Sequence, residues 1–243
     1  NGRFTPLQII KLCQQAENDF VGVSCGIMDQ FVSALGKANQ ALFLDCRSLE
    51  YEYVPLPPNV RLLVCDTGVK RELTSSAYNR RRQECFFAVR QLSTAYPTIK
   101  SLRDISLQQF HESQHALEPV IRRRAKHVIT ENERVLGSVK ALKQGDLSEF
   151  GKLMYQSHLS LKLDFEVSCP ELDAVVDICA EGEGVHGARM TGGGFGGAAV
   201  CLVEEQNVDE VKARLEMEYP VKSGRTPSIH ACSIEDGATI LMM

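Results

Sequence analysis

The chain has 243 residues, of which 44% are hydrophobic and 24% are charged, a balance typical of a globular protein with one large domain or two small ones. Its formal net charge of −4 gives no basic surface for nucleic acid, and no apolar run approaches the roughly 18 residues that indicate a membrane-spanning helix. The nine cysteines are scattered without a C-x-x-C pair, which predicts reduced thiols in a cytoplasmic protein rather than disulfides or zinc ligands.

The first part of the chain predicts two helices followed by strands. Thr5-Pro6 ahead of regularly spaced apolar residues is typical of a helix N-cap with proline at the first helical position. The stretch VGVSCGIMDQFVSALG indicates a turn and then a short helix, which begins at about Gly26 and stops at Gly36. The runs ALFLDC, YEYVPL and VRLLVCDTG are short, β-rich and broken by Pro and Gly, which predicts strands.

The rest of the chain is predominantly helical and becomes mixed at its end. From Thr74 onward, four segments carry apolar residues at the 3.6-residue period of helices; they begin SSAYNRRR, PVIRRRAK, LSEFGKLM and PELDAVVD. The tail predicts a strand in AAVCLVEE, a helix in NVDEVKARLEMEY and a strand in SIHACSI. We place a domain boundary near Gly68, where strands give way to helices, so that the domains span residues 1–68 and 69–243.

The stretch MTGGGFGGAAVCLV contains Gly192-x-Gly194-x-x-Gly197, the spacing of a dinucleotide-binding loop. Such a loop needs a strand before it and a helix opening inside it, because the helix N-terminus meets the pyrophosphate. Here a helical pattern precedes the glycines and a strand pattern follows them, which argues against a dinucleotide site. Two interpretations stay open: a strand connection that needs positive φ angles, and a loop whose backbone closely approaches a ligand or another loop.

Two further motifs carry a weaker chemical signal. HESQH, from His111 to His115 with Glu112 between them, matches the H-E-x-x-H zinc pattern. Its surroundings are polar and no third ligand is placed, so we interpret it as a solvated helix. The runs Arg80 to Arg82 and Arg122 to His127 are interpreted as solvated helical faces, with a positive rim around an anionic substrate as the alternative.

The stretch CGIMDQF combines a flexible glycine with an acid at the start of a helix. Gly26 lets a backbone or ligand approach closely, and Asp29 follows in the first helical turn, where amide groups attract anions. On physical grounds a helix-capping role and a catalytic-base role suit Asp29 equally well.

Five stretches, in the order AENDFVGVSCGIMDQFVSALG, DTGVKRELTSSAYNRRRQEC, RRRAKHVITENERV, SHLSLKLDFEVSCPELD and GARMTGGGFGGAAVCLV, extend over nearly the whole chain. Together they resemble the galactokinases, a family within the GHMP superfamily of small-molecule kinases. The resemblance implies an α+β, two-domain GHMP kinase fold, with residues 1–68 as the end of the N-terminal domain and 69–243 as the complete C-terminal domain.

The resemblance also implies roles for individual residues. Asp29 is the catalytic acid that faces the sugar hydroxyl, and Glu17 is the magnesium ligand, although a polar helix-face position would also explain Glu17. Gly26 and Tyr78 contact the sugar, although Tyr78 is also explained as a half-buried helix aromatic. The active-site glycine loop comprises Gly192, Gly193, Gly194, Gly196 and Gly197.

The implied activity is the phosphorylation of D-galactose at its anomeric hydroxyl, with ATP and Mg²⁺. The resemblance also implies a cytoplasmic protein that is a monomer at full length and binds neither nucleic acid nor membrane. A sister kinase for arabinose or N-acetylgalactosamine, and a non-catalytic galactose sensor, are the alternatives. Because the chain begins at Asn1 and its first methionine is Met28, we expect it to lack its natural N-terminus, with the family's sugar-reading motif and ATP-phosphate loop. The chain alone is therefore expected to be inactive.

Overall fold

The computed structural model describes residues 4–22, 25–70 and 74–239. The chain falls into two compact units, one formed by residues 1–59 with 233–243 and the other by residues 60–232. The boundary expected near Gly68 thus differs from the division in the structure, which places the strand at residues 60–66 in the second unit. That strand pairs on both sides with strands from the C-terminal part of the chain, which is why it belongs there.

The first unit begins with the predicted capped helix. Helix α1 spans Pro6–Gln15, and Thr5 and Gln8 exchange side-chain-to-backbone hydrogen bonds in a reciprocal capping box. A π-helical segment, Ala16–Val21, continues from it. Helix α2, Met28–Leu35, then precedes an antiparallel hairpin of β1, Gln40–Leu44, and β2, Tyr51–Pro55. Ile10, Ile27 and Phe31 form a buried hydrophobic cluster in this unit.

The end of the chain returns to this unit and completes it. The amide of Asn39 donates to the carbonyl of Ile234 over 3.1 Å, and the amide of Gly237 donates to Gly36 over 2.9 Å. The amide of Ala38 donates to the Asp236 carboxylate over 2.9 Å. The first unit is therefore discontinuous in sequence.

A four-stranded antiparallel sheet organises the second unit. Its strand order is β4-β5-β3-β6, where β3 spans Val60–Asp66, β4 spans Val185–Met190, β5 spans Ala198–Glu204 and β6 spans Ser228–Cys232. The strands β3, β5 and β6 were predicted, but β4 was not. Its sequence, VHGARM, has little β-forming character, and its pairing with β5 includes an irregularity between Val185 and Gly187; it is a strand because of that pairing.

Helices cover this sheet and extend from it. The helices are α3 (Thr74–Leu92), α4 (Leu107–Ser113), α5 (Pro119–Lys143), α6 (Leu147–Ser160), α7 (Pro170–Ala180) and α8 (Val208–Ser223). Helices α6 and α7 pack on β4, α8 packs on α7 and β3, and α5 links α6 to α3. A second π-helical segment, Leu161–Phe165, follows α6. Within the described ranges, no helix has the length and apolar character needed to cross a bilayer.

Candidate active site

Asp29 lies in the first turn of α2 with its side chain exposed. The N-cap of this helix is Ile27, which provides no side-chain cap, and Asp29 forms no hydrogen bond or ion pair with a described residue. Its carboxylate therefore has the favourable position of an acid near a helix N-terminus without acting as the cap. Gly26 is also exposed, and a Cβ placed there would meet no atom within 4 Å, so space remains beside this turn.

Glu17 lies next to the start of α2, although it belongs to the π-helical segment Ala16–Val21. Its Oε1 accepts a hydrogen bond from Gln30 Nε2 over 2.6 Å, and its Oε2 accepts one from Cys25 Sγ over 3.3 Å. Partial burial, followed by the Glu17 carboxylate, raises the pKa of the Cys25 thiol, so the thiol keeps the proton that it donates. Glu17 and Asp29 thus lie in one unit, connected through Gln30, the neighbour of Asp29.

The glycine loop, residues 191–197, connects β4 to β5 as a hairpin closed by the Thr191 amide, which donates to Ala198 over 2.9 Å. The loop needs glycine for both conformation and space: a Cβ on Gly194 would lie 2.2 Å from the Val167 carbonyl oxygen, and one on Gly196 would lie 2.7 Å from a Val69 methyl. Positive φ angles occur at Gly192, Gly194, Phe195, Gly196 and Gly197.

This geometry confirms the interpretation of a strand connection with positive φ and shows a close approach to other loops. The segment before the glycines is strand β4, not the helix that the sequence indicated. The dinucleotide interpretation still fails, because strand β5 follows the loop where a helix N-terminus would be needed.

The glycine loop contacts the segment that leads into α3. The Gly197 carbonyl accepts hydrogen bonds from the Thr67 amide and hydroxyl, at 2.9 and 2.6 Å. The Phe195 ring centroid lies 5.9 Å from the guanidinium carbon of Arg81, which is one turn along α3 from Tyr78. Tyr78 is 38% exposed, so it is not a core aromatic. The loop and Tyr78 therefore share one region of the second unit.

The arginine runs are not simply solvated faces, which corrects the sequence interpretation. Arg80 and Arg122 are exposed, but the Arg124 side chain is only 2% exposed and pairs with the buried Glu84 over 2.8 Å. Arg81 is largely buried and also pairs with Glu84, over 3.2 Å. His127 is buried as well and lies 3.0 Å from the Ser160 hydroxyl.

A signal in the sequence could have identified these buried charges. Arg124 falls three residues after the buried Ile121 and one before the buried Ala125, on the apolar stripe of α5. Glu84 lies on the stripe of α3 that continues with Ala88 and Leu92. A charged residue on an apolar helical stripe is buried only when it is paired, so the two stripes together predict an ion pair.

A second network that the sequence did not reveal holds the start of the glycine loop. The His158 Nδ1 atom accepts a hydrogen bond from the Met190 amide over 3.2 Å, so its Nε2–H donates to Asp173 over 3.1 Å. Asp173 also accepts from Ser168 Oγ over 2.6 Å and pairs with Lys162 over 2.9 Å. Burial raises the pKa of Asp173, but these three partners outweigh burial and lower it to about 2. The end of β4 is thus fixed immediately before the glycines.

Helix α6 reaches this position because it packs backbone to backbone on β4. A Cβ on Gly151 would lie 1.7 Å from the His186 carbonyl oxygen, so only glycine permits this approach. His158 is seven residues further along α6, on the same helical face, where it meets Met190.

The HESQH motif does not form a single helical face. Helix α4 ends at Ser113, and a 3₁₀ turn, Gln114–Ala116, follows, which separates His111 from His115. Both histidines and Glu112 are exposed, and Glu112 accepts a hydrogen bond from Gln108 over 3.0 Å. In the described part of the chain, no group of three or more His, Cys, Asp or Glu side chains is arranged to hold a metal.

Comparison with known proteins gives consistent matches along the chain. The GHMP kinases N terminal domain matches residues 1–37, and the GHMP kinases C terminal domain matches residues 138–221. A galactokinase of Roseiflexus sp. (strain RS-1) is 47% identical over 97% of this chain and 60% of its own length. A galactokinase of Chloroflexus aggregans is 45% identical over 96% of this chain and 60% of its own length.

Among solved structures, the Lactococcus lactis galactokinase complexed with galactose matches with a TM-score of 0.94 and 36% identity. The match covers 99% of this chain and 62% of that one. The chain therefore spans about 60% of the length of the curated relatives that it matches.

Proposed function

The chain belongs to the GHMP kinase family, and on that premise we propose that the whole protein is a galactokinase, which transfers the γ-phosphoryl group of ATP to the anomeric hydroxyl of D-galactose. The observation that carries the proposal is the pair of exposed carboxylates, Asp29 in the first turn of α2 and Glu17 beside that turn, in a chain that is 47% identical to a galactokinase. Galactose is favoured over other sugars by the names of the relatives and by the galactose complex of the L. lactis enzyme.

Asp29 is the group that receives or polarises the proton of the sugar hydroxyl. Phosphoryl transfer depends on positioning and charge neutralisation, and a carboxylate near the attacking hydroxyl orients it and accepts its proton. Asp29 suits this role because it is exposed and no described residue occupies its carboxylate. A carboxylate that served only as a helix cap would instead be bonded to a backbone amide.

Glu17 is suited to hold Mg²⁺. It offers a hard carboxylate oxygen, and Mg²⁺ typically binds one or two carboxylates together with substrate phosphates and water. Gln30 holds the carboxylate through Oε1, which fixes its direction without neutralising its charge. Bound there, Mg²⁺ would neutralise negative charge that develops on the transferring phosphoryl group.

Gly26 and Tyr78 are assigned to the sugar, and the glycine loop is assigned to the active site. The open space at Gly26 leaves room for a ligand beside Asp29. The exposed Tyr78 offers a ring face for the sugar ring and a hydroxyl for a hydrogen bond. Within the loop, Gly192 is exposed, whereas Gly194 and Gly196 are buried where the backbone meets Val167 and Val69.

The proposal is tested by measuring ADP release from the full-length protein with ATP, Mg²⁺ and a panel of sugars. We expect turnover with galactose to exceed turnover with arabinose or N-acetylgalactosamine. A preference for one of those two sugars would replace the proposal with a sister kinase. Galactose binding by calorimetry without any ADP release would instead indicate a sensor.

A further inference from the structure

The centre of the glycine loop lies against the backbone of a neighbouring segment, residues 164–168. The Phe195 amide donates to the Val167 carbonyl over 2.6 Å, and Gly194 lies so close to the same oxygen that no side chain fits between them. We call residues 164–168 the loop seat. The position of the loop backbone therefore depends on the position of the Val167 carbonyl.

Two arginines fix the backbone of the loop seat. Arg124 Nη1 donates to the Asp164 carbonyl over 2.6 Å, and Arg81 donates to the carbonyls of Phe165 and Glu166 over 2.6 and 2.9 Å. Arg124 Nη2 also pairs with the Glu166 carboxylate over 2.5 Å. Glu166 itself has a φ of 55°, a left-handed conformation that is costly for a side-chain-bearing residue. The arginine contacts hold the seat in this conformation.

Glu84 orients the guanidinium of Arg124. Its Nε donates to Glu84 Oε2 over 2.8 Å, and both side chains are buried. Burial raises the pKa of Glu84, but Arg124 and then Arg81 and Arg80 outweigh it, so the pKa is lowered and the pair is ionised. A buried ion pair contributes little net stability because its desolvation is costly. Its contribution here is orientation, since the guanidinium fork has one fixed geometry.

We propose that Arg124, oriented by Glu84, is a positioning residue for the glycine loop, and through the loop for phosphoryl transfer to the sugar. The inference rests on the proposed function only for its catalytic consequence. The geometric part, that Arg124 sets the position of the Val167 carbonyl and hence of Phe195, stands on the contacts alone.

The test is Arg124→Lys in the full-length protein, because lysine keeps the charge but cannot bond Glu84, Asp164 and Glu166 at once. Arg214→Lys is the matched control. Arg214 also uses Nε for one glutamate, Glu218, and its two other nitrogens for the carbonyl and carboxylate of Glu181, but it lies on α8 and contacts neither the seat nor the loop.

The first readout is hydrogen exchange at the Phe195 amide, which does not require activity. We expect exchange to accelerate about tenfold in Arg124→Lys, the effect of weakening one hydrogen bond, while the amides paired between β3 and β5 exchange as in the unsubstituted protein. In Arg214→Lys, Phe195 should exchange at the unsubstituted rate. Equal Phe195 exchange in Arg124→Lys and the unsubstituted protein would overturn the proposal.

The second readout is catalysis. We expect kcat with galactose to fall about tenfold in Arg124→Lys, with less than a twofold change in Arg214→Lys. If the unsubstituted protein phosphorylates no sugar, the proposed function fails, but the exchange experiment still decides the role of Arg124. If Arg124→Lys does not fold, Glu84→Gln replaces it, because glutamine keeps the shape of the glutamate that orients Arg124, and the same changes are expected. Unchanged Phe195 amide exchange and unchanged kcat in Glu84→Gln would refute the inference.

Discussion

Replacing Gly194 with alanine measures how rigidly the glycine loop is held. Gly194 has a φ of 82°, and the added Cβ would lie 2.2 Å from the Val167 carbonyl oxygen. The left-handed conformation costs an alanine about 1–2 kcal/mol. The Val167 oxygen must also move away, which breaks its hydrogen bond with the Phe195 amide at a cost of about 0.5–1.5 kcal/mol. We therefore expect Gly194→Ala to lower the free energy of unfolding by roughly 2–3 kcal/mol.

Gly224→Ala is the matched control, because Gly224 has a φ of 69° and no atom within 4 Å of the added Cβ. Both alanines reduce the entropy of the unfolded chain equally, so the difference between the two variants reports the close approach alone. Urea unfolding followed by circular dichroism should show Gly194→Ala to be less stable than Gly224→Ala by about 1 kcal/mol. Equal losses in the two variants would show that the loop moves away from Val167 without cost, and the argument for a fixed loop would fail.

Three further substitutions, at Asp29, Tyr78 and His127, test single residues. In full-length protein, Asp29→Asn should lower kcat at least about a hundredfold with ATP binding retained, whereas Asp19→Asn, which removes another exposed charge of the first unit, should not; a change below threefold at Asp29 would contradict its catalytic role. Tyr78→Phe should raise the KM for galactose roughly two- to tenfold, the effect of one hydrogen bond, and an unchanged KM would remove Tyr78 from the sugar site. Burial lowers the pKa of His127 from 6.5 to about 4, so its contribution to stability is complete above pH 6.5 and is lost as the pH falls towards 4. Urea titrations should show that the free energy of unfolding is lower at pH 4.5 than at pH 7 by up to roughly 3 kcal/mol, and that this difference is smaller in His127→Asn. Equal differences in the two proteins would contradict the role of His127 in the pH dependence.

The secondary structure was predictable where local chemistry decides it. Thr5-Pro6 determines the start of α1 through a capping box, and the short β-rich runs before Gly68 form β1, β2 and β3. Strand β4 was missed because VHGARM has little β-forming character of its own, and it becomes a strand through its pairing with β5 and its packing on α6. The domain boundary expected near Gly68 differs from the division in the structure because β3 belongs to the second unit only through strands far along the chain.

The candidate site was predictable only in part. The resemblance supplied Asp29, Glu17, Tyr78 and the glycines, whose roles stay predictions until they are tested. The residues that hold the loop were not identified, because their importance comes from contacts made across the fold: Arg124 lies in a run interpreted as a solvated face, and His158 was not singled out. A charge run resembles a solvated face in a linear pattern, and a histidine in a helix gives no indication of which amide it accepts from.

The return of the C-terminal segment to the first unit has a consequence for synthesis on the ribosome. The amide of Ala38 and its partner Asp236 are 198 residues apart, which at about 5–20 residues per second corresponds to roughly 10–40 s of translation. The second unit, residues 60–232, is contiguous and has all its strands as soon as β6 has emerged. The first unit therefore remains unfinished, although its helices and hairpin are synthesised early, until residues 234–238, which directly follow β6, arrive to pair with residues 33–39.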